Sequence, residues 1–225
     1  MDLPDDVAIT TSDHYGSKLR LLNNLWGDWV KAVGDISNQD ELFSCMLDAL
    51  ECFQCSTFNL THGYYRSAIA SLRTAIEAIV IGTFGNLAPT NKKYVDWKTG
   101  ASEFTFTPAR QALLELVRLK PAGWLLEKDK PPAQTYRQLC RFTYSRSDTT
   151  DGDLWESNGP ICSHKGVKLT FDSSLQIYTI CYLLVGIGRP GFILPADSRV
   201  LFRLKWLDGH AQLSKAFHEL GELRG

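Results

Sequence analysis

Gly63-Tyr64-Tyr65-Arg66-Ser67-Ala68-Ile69-Ala70-Ser71-Leu72-Arg73-Thr74-Ala75-Ile76-Glu77 is the stretch on which the fold turns. At about 100° per residue, Tyr65, Ile69, Leu72, Ile76 and, just beyond, Ile79 fall on one broad arc, the pattern of a helix with one face against a core. His62, Arg66, Arg73 and Glu77 lie along one border of that arc, so the same helix carries a charged stripe at the edge of its buried face. The spacing predicts a helix over Leu60 to Phe84, with Gly63 near its start and Gly82 and Gly85 near its end.

Toward the N-terminus, Leu19, Leu22, Leu25, Trp26, Trp29 and Val30 give a helix over Ser17 to Val33, preceded by an extended or disordered arm at residues 1–14. Ser37, Asn38, Gln39 and Asp40 offer capping side chains ahead of a second pattern, Leu42 to Phe53. Toward the C-terminus, Asn86 to Thr107 loses its period and reads as a long loop, followed by a short helix from Pro108 to Arg118 and a turn at Trp124 to Glu127. Pro131-Pro132 introduces a helix from Ala133 to Arg146, because proline suits a first helical turn. Ser147 to Lys168 reads as a loop, with a short extended piece at Val167 to Phe171. Asp172 to Gly188 reads as a buried helix, and two closing helices, Ser198 to Trp206 and Asp208 to Leu223, fill 196–223. With helical spacing in every periodic segment, the expectation is an all-α bundle with long loops, one domain over 15–225.

The bulk properties narrow the function classes. A chain of 225 residues supports one substantial core. A formal charge of −1 supplies no global attraction to polyanions, so a nucleic-acid site has to be a local patch. Six cysteines without a disulfide-scaffold spacing read as reduced thiols, and Cys52 and Cys55 form a lone CxxC with no second ligand pair for structural zinc. The acidic start Met1-Asp2-Leu3-Pro4-Asp5-Asp6 lacks the apolar run of a signal peptide, and the apolar stretch Leu175 to Gly188, about 14 residues, falls short of the roughly 20 needed to span a bilayer. A cytoplasmic location without membrane association is expected.

The helix after Pro132 repeats the arrangement of the first. Tyr136, Leu139, Phe142 and Thr143 share one side, while Arg137, Arg141 and Tyr144 gather on the other. Two guanidiniums on one face can hold a phosphate bidentately, and the alternative is a solvated basic face. For the first stripe the alternative is an Arg73–Glu77 pair within the helix, worth about 0.2–0.5 kcal/mol, with Arg66 solvated.

The Gly63 to Glu77 stretch resembles the helix of HEPN-like proteins that carries Arg-x-x-x-Glu after a Gly-Tyr-Tyr start. Tyr136-Arg137-Gln138-Leu139-Cys140-Arg141-Phe142-Thr143-Tyr144-Ser145-Arg146 resembles the helix whose family motif is Arg, four to six residues, then His. Trp155-Glu156-Ser157-Asn158-Gly159-Pro160-Ile161 is similar to a loop of uncharacterised bacterial members, and the resemblance spans about residues 40–190. It implies a HEPN-like bundle, a homodimer, and metal-independent RNA cleavage without a cofactor, in which the motif Arg holds the scissile phosphate and the motif His assists attack by the ribose 2′-hydroxyl. Here Tyr144 stands where that His would be, and a phenol with an ordinary pKa near 10 is a poor base at neutral pH.

On an RNA-directed reading Arg137, Arg141 and Arg66 hold phosphate, Arg73 assists, Glu77 orients a guanidinium, and Tyr144 serves as acid or hydrogen-bond donor. His62 and His164 are the candidates to replace the missing base. Asp148, Asp151, Asp153 and Glu156 lack the spacing of a calcium loop and read as a solvated acidic loop pairing with Arg137, Arg141 or Arg146, so no metal is expected. Three readings stay open: an RNA-directed protein of a prokaryotic stress or phage-defence system, cleaving or only binding; a non-catalytic interaction module with a protein partner from a defence or toxin–antitoxin operon; and a nucleotide sensor in which Tyr64, Tyr65, Tyr136 and Trp155 stack on a base.

Overall fold

In the computed structural model the residues described are 3–143, 160–189, 192 and 210–221. They form α1 (Pro4–Gly34), α2 (Glu41–Thr61), α3 (Tyr65–Leu87), α4 (Lys92–Lys98), α5 (Phe106–Val117), a 3-10 turn (Gly123–Leu126), α6 (Pro131–Thr143), α7 (His164–Gly188) and α8 (Ala211–Gly221). Among the described residues there is no strand, so the fold is all-α.

α3 is the central element. Its widest contact is with α2, its next with α7, and α5 and α6 pack on it as well, while α1 covers α2 and α8 lies on α7. The apolar arc predicted for α3 is the one that is buried: Tyr65, Ile69, Leu72, Ile76 and Ile79 are each at most 1% exposed. Burying a side chain of that size is worth roughly 1.5–3 kcal/mol, so this arc fixes which face of α3 meets the core.

Glycine lets two partners approach α3 closely. A methyl group at Gly82 would lie 2.5 Å from Cys45 Cβ of α2, and one at Gly85 would lie 2.2 Å from the Tyr94 ring of α4. Gly82 and Gly85 are therefore packing positions inside the helix and not its C-terminal stop. An aromatic cluster joins α1, α2 and α7: Trp26 stacks on Phe53 with centroids 4.7 Å apart, Trp29 meets Phe53 edge-on at 5.3 Å, and Tyr178 touches both tryptophans. The indole N–H groups are satisfied, Trp26 by the Thr57 hydroxyl at 2.7 Å and Trp29 by the Met46 carbonyl at 3.0 Å.

Several boundaries differ from the sequence reading. The arm expected at 1–14 is helical from Pro4, because Val7 and Thr11 find a buried surface; Tyr15 alone leaves helical geometry (φ −128°, ψ 18°) and kinks α1. The helix predicted from Leu60 begins at Tyr65, since Leu60 completes α2 and Gly63 (φ 77°) makes the turn between the two. The long loop at 86–107 contains α4, whose Asn91 side chain accepts from the Lys93 amide at 3.0 Å. Val167 to Phe171 is helical and not extended, because Ser163 caps α7 by accepting from Gly166 N at 3.2 Å and starts the helix earlier. α6 starts at Pro131 and its described part ends at Thr143. Of the two closing helices, Ser198 to Trp206 lies outside the described residues and the second is α8.

The two apolar helices α3 and α7 run 23 and 25 residues, long and apolar enough to cross a membrane by length and composition, so the apolar stretch read at Leu175 to Gly188 belongs to a longer apolar helix. In this fold 67% and 89% of their apolar windows are buried. The surrounding helices already occupy those faces.

Candidate functional site

α3 and α6 pack directly against each other, which brings the two charged helices of the sequence reading together. At their shared face with α5, Tyr136 lies flat on Phe106, centroids 3.9 Å apart and planes 10° from parallel. Burial, and after it the neighbouring Glu77 carboxylate and Cys140, push the Tyr136 phenol well above its usual range, with Arg73 pulling the other way. Tyr136 therefore stays protonated near neutrality.

Glu77 holds the start of α5. Its Oε1 accepts a hydrogen bond from the backbone amide of Phe106, the first residue of α5, at 2.7 Å. A carboxylate there satisfies one of the unpaired amides of the first helical turn and sits at the positive end of the helix dipole. Arg73 is half-buried on the same face, and its contacts place it beside Tyr136.

Arg66 is half-buried and reaches across to α6, its Nη2 donating to the Thr143 carbonyl at 3.2 Å. This bond ties α3 to α6.

Arg137 and Arg141 are exposed, one turn apart on α6. Arg137 donates through Nε to the Ala133 carbonyl and through Nη2 to the Lys128 carbonyl, each at 3.2 Å. Both acceptors are neutral, so the guanidinium is oriented without being neutralised. Among the described residues neither Arg137 nor Arg141 makes an ion pair. Tyr144, and the acidic run Asp148, Asp151, Asp153 and Glu156 expected to pair with these arginines, lie outside the described residues.

The two histidines stand apart from that face. His62 caps the C-terminus of α2 instead of belonging to α3; its Nδ1 donates to the Phe58 carbonyl at 2.8 Å and its ring lies 4.1 Å from the Phe58 ring. His164 opens α7 and shares a hydrogen bond of 2.9 Å with the Tyr15 hydroxyl at the kink of α1. Neither makes a hydrogen bond to Arg137 or Arg141.

The Gly-Tyr-Tyr start is a structural clamp. The Tyr65 hydroxyl donates to the Ile161 carbonyl at 2.9 Å and accepts from the Ser163 amide at 2.8 Å, so it pins the chain just ahead of α7. Burial pushes this phenol up to about 12 despite the Ser163 amide, which pulls it down. Gly166 lies against the Tyr65 ring and Gly63 against Ile161, where a methyl would come within 2.4 Å and 2.2 Å of them. Tyr65, 1% exposed, is closed to a nucleotide base, and Phe106 takes one face of the Tyr136 ring. Trp155 lies outside the described residues.

One charged residue escaped the sequence reading. Phe106, Ala109, Leu113 and Val117 make the buried face of α5, and Arg110 falls on it at helical spacing, 5% exposed, with Nη1 bonded to the Leu126 carbonyl. An arginine at a core-facing position was the readable signal. Among the described residues no three His, Cys, Asp or Glu side chains gather as a metal-ligand set, and burial pushes the Cys52 thiol up to about 11, away from the thiolate a metal needs. No family model, curated protein or solved structure matches the chain.

Proposed function

We propose that the chain is a HEPN-like, RNA-directed protein of a prokaryotic stress or phage-defence system that engages the RNA backbone through Arg137 and Arg141 of α6. The observation that carries this reading is the state of Arg137: exposed, fixed by two carbonyls, and met by no carboxylate among the described residues. A guanidinium held in place by neutral acceptors keeps its full charge and loses little freedom when phosphate arrives. Arg141, one turn on, adds a second positive charge on the same side.

Binding is favoured over cleavage. Glu77 accepts from the α5 N-terminus, Arg66 donates to the Thr143 carbonyl, and both histidines hydrogen-bond elsewhere, so none of the base candidates is hydrogen-bonded to Arg137 among the described residues. The test incubates wild type and Arg137→Ala with labelled single-stranded and structured RNA in EDTA, following binding and cleavage together. RNA retained by wild type and released by the variant, without cleavage, is the expected result. Cleavage abolished by Arg137→Ala would make the protein a metal-independent ribonuclease, and absence of binding by wild type would refute the RNA reading.

A second reading, a non-catalytic interaction module, is favoured by α2. Leu47 and Phe58, 43% and 61% exposed, lie three turns apart on one face of that helix. A second copy of the chain could bury them, in keeping with the homodimer that the HEPN resemblance implies. Light scattering on wild type and Phe58→Glu separates the cases: a dimer lost in the variant supports it, and a monomeric wild type removes it.

A further inference from the structure

The turn between α5 and α6 is gripped from two sides by arginines. Buried Arg110 donates to the Leu126 carbonyl, which ends the 3-10 turn, and Arg137 donates to the Lys128 carbonyl two residues later, at 3.2 Å. The two guanidiniums are close enough that Arg137, after burial, weakens the hold of Arg110 on its proton. The carboxylates that flank this turn, Glu127 and Asp129, lie 3.9 Å and 3.3 Å from the Lys130 ammonium, and among the described residues neither pairs with Arg110 or Arg137. Two like charges, one of them buried, thus grip the same turn without a described counter-charge. An anion seated there relieves the repulsion, and Arg137 has spent only two of a guanidinium's roughly five N–H donors on carbonyls.

We infer that Arg110 and Arg137 form a two-guanidinium phosphate site at the turn 126–128, in which Arg137 contacts the phosphate. Arg110 is a positioning residue: it holds the turn whose Lys128 carbonyl orients Arg137, and it places a buried positive charge beneath the site. The inference rests on the RNA reading above and names where the phosphate sits. The same chemistry would accept a backbone phosphate of RNA or a free phosphate ester.

The experiment measures labelled single-stranded RNA by fluorescence anisotropy, and inorganic pyrophosphate by thermal shift, on wild type, Arg137→Ala, Arg110→Gln and Arg110→Lys, each checked for helicity by circular dichroism. Gln keeps an N–H for the Leu126 carbonyl and removes the charge; Lys keeps the charge. A merely structural Arg110 would be replaced as well by Gln as by Lys. The inference predicts RNA affinity about tenfold weaker in Arg110→Gln and within about threefold of wild type in Arg110→Lys, as expected for loss of one charge near a bound phosphate. Pyrophosphate should raise the Tm of wild type and not that of Arg110→Gln. Pyrophosphate binding without RNA binding would support the site and sink the RNA reading. RNA binding lost in Arg137→Ala but unchanged in Arg110→Gln would overturn the site and leave the RNA reading standing, and a wild type that engages neither ligand would overturn both. If Arg110→Gln does not fold, hydrogen–deuterium exchange on wild type decides: slower exchange over 123–131 on adding RNA or pyrophosphate supports the site, and unchanged exchange overturns it.

Discussion

Tyr65 uses one hydroxyl to hold two backbone groups, the Ile161 carbonyl and the Ser163 amide, on the far side of the chain from its own helix. Removing it leaves both without that partner, so Tyr65→Phe should cost about 1–2 kcal/mol at pH 7 by urea denaturation. The same residue writes a signature into the alkaline range. Its phenol titrates at about 12 when folded and near 10 when unfolded, so between those values the unfolded chain has released a proton that the native protein still holds. Stability contributed by the neutral phenol is complete below pH 10 and is lost as pH rises toward 12. The difference between wild type and Tyr65→Phe should therefore narrow across that window; a constant difference would mean that burial does not raise this pKa. Tyr65 was read from the sequence as part of the apolar arc, and correctly so. Its hydroxyl partners lie 96 and 98 residues away, which no local pattern encodes.

At the level of helices, the two functions assigned to α3 separate. Glu77 caps α5, so Glu77→Ala should lower stability by about 1–2 kcal/mol while Glu77→Gln, which restores an oxygen acceptor but not the charge, recovers about half of that. RNA affinity should be the same in both variants; a loss in Glu77→Gln at unchanged stability would return Glu77 to the binding site. Helix packing makes a second prediction of opposite signs. Gly82→Ala drives a methyl to 2.5 Å from Cys45 Cβ and should destabilise by about 1–3 kcal/mol, whereas Gly27→Ala, exposed on α1 with nothing within 4 Å, should stabilise by up to about 1 kcal/mol through helix propensity. Thermal denaturation of the two variants checks both signs. Period 3.6 made the helices legible, and it misplaced their ends where a distant contact decides. α1 extends to Pro4 because Val7 is buried, and α7 begins at His164 because Ser163 caps it.

Across the whole molecule, the helices that carry the two charged stripes, α3 and α6, pack together, and the described contacts divide the stripe residues between different partners. Glu77 satisfies the start of α5, Arg66 bonds the Thr143 carbonyl, and among the described residues of the two stripes Arg137 and Arg141 present exposed guanidiniums. Helical spacing shows which residues share a face and does not show which of them will be used to terminate a neighbouring helix. Arg110 illustrates the converse, since its place among Phe106, Leu113 and Val117 was visible and its partner at Leu126 was not. The central claim is that Arg137 and Arg141 touch phosphate. It is tested most directly by measuring single-stranded RNA binding against salt for wild type and the double variant Arg137→Ala, Arg141→Ala. Each phosphate contact on a single strand contributes roughly 0.7 to the slope of log affinity against log salt, so the variant should be shallower by about 1.4. Equal slopes, or no RNA binding by wild type at low salt, would contradict it.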